Sequence, residues 1–157
     1  MLRRKKTKTA ALIFVISITI LHVVGVDPMS VGLYVGCPAY CHFIWPFFHV
    51  SWLHLIINTW CLLGIVFLYD VSPSVIAVAY LSSIVAPNMT HFPTIGISGI
   101  CFFLMGHVMW QTARKLYFNS YILVFILTGF VFSGGNNMIH IYSYALGVSY
   151  GYLCRKL

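Results

Sequence analysis

Apolar residues gather into six stretches along the chain, and the residues between them are mostly turn-formers and charges. Thr9 to Val26 is the first, and it stops at Asp27-Pro28, where proline disfavours helical geometry in the residue before it. The others cover about 50–68, 71–86, 96–112, 118–132 and 138–154. They are separated by Asp70, by Pro87 and Pro93, by Arg114-Lys115 and by Ser133-Gly134-Gly135-Asn136-Asn137. The pattern predicts a helix over each stretch, the first at about 9–26. Residues 28–48, the longest connection, carry Tyr34, Tyr40, Phe43, Trp45, Phe47 and Phe48, an aromatic density that suits a membrane–water interface.

Composition turns these helices into membrane helices. Hydrophobic residues make up 61% of the 157 and charged residues 7%, with a mean hydropathy of +0.93. A soluble domain of that size would have too little polar surface to cover itself. The expectation is an all-α, multi-pass integral membrane protein, one domain over 1–157, with six spans of about 20 residues each. The first helix resembles a signal peptide in charge order, but its apolar core is too long and Val26-Asp27-Pro28 offers no small-residue cleavage site.

The net charge of +7 raises nucleic acid as a partner, and the placement of the charges excludes it. The basic residues form three clusters: Arg3, Arg4, Lys5, Lys6 and Lys8; Arg114 and Lys115; Arg155 and Lys156. Each borders an apolar stretch, as cytoplasmic loops do, whereas a nucleic-acid face needs basic and aromatic residues interleaved on a folded surface. Six spans, with 1–8 as a basic cytoplasmic tail, put all three clusters and both termini on one side. Cys61, Cys101 and Cys154 read as small hydrophobes within spans. Cys37 and Cys41, in the first connection, are expected to stay unpaired.

Polar residues inside such stretches are costly and point to function. Ser98, in Gly96-Ile97-Ser98-Gly99, and His140 each enter a helix about two residues from its outer end. His54 and Asn58 lie one to two turns into the second helix, so the four groups share one layer. A serine hydroxyl is a weak nucleophile without a base, and a histidine titrates near working pH and can return the proton to a leaving amine. A Ser-His-Asp triad is not expected, because Asp27 and Asp70 are the only carboxylates and neither reaches this layer. That leaves a Ser98–His140 dyad, with Phe102, one turn beyond the serine, to stack on the imidazole. His54 and Asn58, four apart on one face, and the Ser98 backbone N–H are candidate oxyanion donors. His49 and His54 are five apart, which disfavours a metal clamp, and no metal or cofactor is predicted. Ser143, Gly147 and Gly151 repeat every four residues on the His140 face, with Gly99 and Gly106 as the matching flat side, a small-residue pattern for close helix packing. Taken alone, such a serine usually caps its own helix, and a lone histidine binds haem, metal or another helix.

These residues resemble the rhomboid family of intramembrane serine proteases. His49-Val-Ser-Trp-Leu-His54-Leu-Ile-Ile-Asn58 is similar to the family's second-helix signature, and Gly96-Ile97-Ser98-Gly99 to its Gly-x-Ser-Gly. Leu104-Met105-Gly106 continues the likeness, as do His140 with Gly147 and Gly151 in the last stretch. The chain departs from the family at Tyr40-Cys41, where a Trp-Arg pair is usual, at Ser143 for a glycine, and at Ile139 for an alanine. The resemblance implies a serine endopeptidase with Ser98 as nucleophile, His140 as base and His54 and Asn58 in the oxyanion hole. His49 would support the network, and Phe102 would pack on the histidine. Its partners would be the lipid bilayer and single-span membrane substrates cut near the outer face, with the fifth helix and the 133–137 loop as gate and cap. A bacterial plasma membrane is the expected location. The alternatives are a non-catalytic chaperone or binding protein on the same fold, and a histidine-liganded haem or metal carrier.

Overall fold

The computed structural model of the protein describes residues 2–88, 90–132 and 136–156. Among them are eight α-helices: α1 Leu2–Val24, α2 Pro28–Val31, α3 Cys41–Ile44, α4 Trp52–Leu68, α5 Pro73–Ile84, α6 Ser98–Val108, α7 Lys115–Phe132 and α8 Asn137–Lys156. Two 3₁₀ turns, Trp45–Phe47 and Met109–Gln111, extend α3 and α6. The basic segment read as a tail is the first turn and more of α1, since Leu2 to Lys8 continue one helix. The helix starts have side-chain causes. Asp27 accepts from the Met29 N–H with Pro28 at the first helical position, and Ser51 accepts from the His54 N–H. Ser72 accepts from Val75, again with proline at the first helical position.

The six-span arrangement with both termini cytoplasmic does not hold. Among the described residues, one helix, over Lys5–Val24, is long and apolar enough to cross a membrane by length and composition. A second qualifies only if Cys41–Phe47 and Trp52–Leu68, bent by 89°, count as one. Over 71–86 and 96–112 the apolar stretches are longer than the helices inside them. Ser72 caps α5, which starts at Pro73 and is 12 residues, with Pro87 beyond its end, and Gly96 and Thr112 bracket α6, which is 11 and rises about 16 Å against a hydrocarbon core of about 30 Å. The 20-residue α8 is long enough, but Tyr142, Tyr144, Tyr150 and Tyr152, with Asn137 and His140, dilute its apolar content.

Helix α6 sits at the centre, buried along nearly its whole length. Its Ile100, Cys101, Phe103, Leu104 and Val108 share a core with Leu55, Leu62 and Val66 of α4 and Val75 and Ala79 of α5. On its other side α8 lies directly against it. A Cβ on Gly151 would come within 2.8 Å of the His107 carbonyl oxygen, and one on Gly147 within 2.7 Å of the Phe103 carbonyl carbon. A Cβ on Gly106 would strike the α8 backbone at Tyr144, and at Val148 it would come within 2.7 Å of the nitrogen. Only glycine on both helices permits that approach.

The first connection is a packed segment rather than an aromatic fringe throughout. Trp45 is fully buried, and its indole N–H donates to the Ser83 carbonyl at 3.2 Å, while Tyr40 and Phe43 stay exposed. Tyr40 and Cys41 both anchor on the Ser30 carbonyl, through the phenol at 3.0 Å and the thiol at 3.7 Å. Cys37 and Cys41 are free thiols. An isolated bridge between Leu33 and Thr94 ties this segment to the approach to α6. Of the connection at 133–137, residues 133–135 lie outside the described residues, and with them the expected cap.

Candidate active site

The start of α6 explains why Ser98 is where it is. Gly96 has φ +122°, a backbone conformation open to glycine, and its N–H donates to the Trp45 carbonyl at 3.1 Å. The chain turns there, Ile97 occupies the cap position with no side-chain hydrogen bond, and Ser98 opens the helix. Its hydroxyl is therefore not consumed as a cap.

The hydroxyl instead faces α8. His140 Nε2 lies 3.0 Å from Ser98 Oγ. With the ring proton on Nδ1, Nε2 accepts from the serine, the arrangement a general base requires. The imidazole is held by Phe102, whose ring stacks on it with centroids 4.4 Å apart and planes at 22°. Phe102 is itself backed by Ile122 and Ile126 of α7. The Tyr144 phenol of α8 donates to Asn119 Oδ1 of α7, closing that side. No carboxylate takes part. Asp27 is engaged as the cap of α2, and Asp70 lies next to Gln111, near the far end of α6.

Across from His140 stand two polar side chains of α4, His54 and Asn58, and His49 from the segment just before that helix. His54 and Asn58 lie over Gly96: a Cβ there would be 2.7 Å from His54 Cε1 and 3.3 Å from Asn58 Nδ2. Asn58 is buried, and the Cys101 thiol donates to its backbone carbonyl at 3.5 Å, fixing α4 against α6. His49 is buried beside His54, ring centroids 5.2 Å apart in an edge-on contact. Both His49 nitrogens, His54 Nδ1 and Asn58 Nδ2 are buried without a hydrogen bond. Leaving a buried polar group unpaired costs about 1–3 kcal/mol, so such a cluster needs a reason. The Ser98 N–H joins the set, because the first N–H of a helix has no intrahelical acceptor.

The structure thus brings together Ser98, His140, Phe102, His54, Asn58, His49 and Gly96. Gly99 and Gly147 contribute the close approach of α6 and α8. A Cβ on Gly99 would be 3.3 Å from each of Ile139, Ser143 and Trp45. Ile139, at the position of a usual alanine, is fully buried against that face. Trp45 was missed as a site residue. It supports both Gly96, through its carbonyl, and Gly99, through its ring. The Trp45-Pro46 pair was the available signal, since proline there stiffens the segment that carries the indole inward.

Among the described residues, no group of three or more His, Cys, Asp or Glu side chains is placed to share a metal ion. Protein-family models and curated proteins yield no match to this chain.

Proposed function

We propose that the protein is a serine endopeptidase acting on membrane-embedded protein substrates through a Ser98–His140 dyad. The observation that carries this reading is the 3.0 Å Ser98 Oγ to His140 Nε2 contact, set opposite buried, unpaired donors on α4. In the proposed reaction the Ser98 proton passes to His140 Nε2 as Oγ attacks the scissile carbonyl carbon. The carbonyl electrons move to oxygen, and that oxyanion takes hydrogen bonds from His54, Asn58 and the Ser98 N–H. Collapse expels the amine, which receives the proton from His140 and leaves a serine ester. Water, deprotonated by the same histidine, hydrolyses the ester and restores the hydroxyl.

A membrane setting is supported by the surface. Besides the Lys5–Val24 helix, large apolar side chains face outward on several others, with Trp60, Leu68 and Leu116 each more than three-quarters exposed. Exposed apolar area on that scale needs an apolar partner, and a lipid bilayer supplies one to many faces at once. The plasma membrane of a bacterium is the proposed location, and single-span proteins cut near the outer face are the proposed substrates. The resemblance to rhomboid proteases stands with this reading.

The test is cleavage of a panel of single-span reporters by the purified chain. Ser98→Ala and His140→Ala are each expected to abolish cleavage at unchanged protein level. Asn58→Ala is expected to lower kcat about a hundredfold, the cost of one oxyanion donor. Retained cleavage in the first two variants overturns the proposal.

A further inference from the structure

At the opposite end of α6 from the dyad, a cavity of about 870 Å³ opens between the start of α1, the start of α5 and the end of α8. Its wall carries two cations, Lys5 and Lys8, and one carboxylate, Asp70. The Lys8 ammonium is held over the Phe67 ring at 4.6 Å, which fixes its place without neutralising it. Ser72 and Ser74, their hydroxyls 2.7 Å apart, mark the amino-terminal end of α5, where the helix dipole favours an anion. A separate observation points to a ligand. His107, more than nine-tenths buried, forms part of the same wall, and its Nδ1 has no hydrogen-bond partner. Asp70 keeps its place through its backbone, exchanging hydrogen bonds with the Gln111 amide at 3.2 and 3.3 Å.

A second cavity, about 430 Å³ and almost wholly apolar, continues from this one. It runs between α1 and α5, bounded by Ala10, Ala11 and Phe14 on one side and Ile76 and Ala77 on the other, and Thr7 borders both cavities. Lys5 and Lys8 stand at the start of the Lys5–Val24 helix and the apolar groove follows its next two turns. A polar pocket with cations and one anion, leading into an apolar groove along a helix of membrane-spanning length, matches a two-part ligand.

We infer that this is a binding site for a phospholipid whose headgroup joins a phosphate to a primary ammonium, such as phosphatidylethanolamine. The phosphate sits on Lys5, Lys8, the α5 amino terminus and His107. The ammonium reaches Asp70, and one acyl chain lies in the groove between α1 and α5. The inference rests on the membrane setting proposed above and is independent of the dyad.

The test uses the full chain, delipidated in non-ionic detergent, titrated with dioleoyl phosphatidylethanolamine, dioleoyl phosphatidylcholine and water-soluble phosphoethanolamine, with adducts measured by native mass spectrometry. Phosphatidylethanolamine is expected to bind most tightly. A Lys5→Gln, Lys8→Gln double variant should weaken it about tenfold or more, from the loss of two cations at the phosphate. Asp70→Asn should erase the preference over phosphatidylcholine, and Ala77→Phe, which fills the groove from an exposed position, should weaken both lipids. Circular dichroism confirms that each variant keeps its helices, and Ala77→Phe and Asp70→Asn decide the matter should the double variant fail to fold. Phosphoethanolamine binding as tightly as the lipid would overturn the inference in favour of a soluble phosphate ester. Equal binding of the two lipids, or no effect of the lysine changes, would also overturn it. Ser98→Ala should bind lipid as the unaltered chain does, so failure here and failure of the dyad are separate results.

Discussion

Gly96 carries two constraints at once. Its φ of +122° excludes side chains on backbone grounds, and the space its Cβ would fill is taken by the His54 ring. Gly96→Ala is therefore expected to cost activity more than fold. Backbone strain of about 1–3 kcal/mol is added, and His54 and Asn58 are pushed off the oxyanion position. Thermal unfolding and kcat measured on the same preparation separate the two losses. At Phe102 the requirement is an aromatic face. Phe102→Tyr should keep most of the activity, and Phe102→Ala should lower kcat with little change in KM, because the stack holds His140 rather than the substrate. The stack itself contributes about 0.5–1.5 kcal/mol. Equal kcat for the two variants would contradict that positioning role.

Among the elements, the α6–α8 pair decides whether the serine and histidine meet, since each helix carries one of them. Gly147→Val would set a branched side chain against the Phe103 carbonyl, and overpacking of this kind costs about 1–3 kcal/mol or more. Its melting temperature and its activity should fall together. Gly64 is the contrast. It lies within α4 with nothing within 4 Å of its Cβ position, so Gly64→Ala should stabilise by about 0.5–1 kcal/mol through helix propensity. Much of this pair could be read from the chain. The four-residue repeat of Ser143, Gly147 and Gly151 lies along one helix face, and Ser98 and Phe102 share another, so the spacing alone carries the geometry. Less legible was the first connection. Apart from the proline that follows it, Trp45 looks like its aromatic neighbours in sequence, and the tertiary contact with Ser83 sets it apart.

For the whole molecule, hydropathy misled about the number of crossings. Apolar runs over 71–86 and 96–112 continue through residues that end the helices: Ser72-Pro73 and Pro87 around α5, Gly96 and Thr112 around α6. Counting spans from these two runs therefore overstated the length of α5 and α6, and with it the number of crossings. The polar residues within the runs were sparse enough that each needed a reason, and that is why Ser98, His140, His54 and Asn58 stood out. The lysine-lined cavity was invisible by the same logic, because Lys5 and Lys8 read as a tail until α1 is seen to include them.

An activated serine reacts with a fluorophosphonate and an ordinary one does not, which makes labelling the most direct measure of whether His140 acts on Ser98. The unaltered chain should take up one probe, located at Ser98 by peptide mass spectrometry. Ser98→Ala and His140→Ala should remain unlabelled. Labelling of His140→Ala at the rate of the unaltered chain, or no labelling of the unaltered chain at all, would contradict the account.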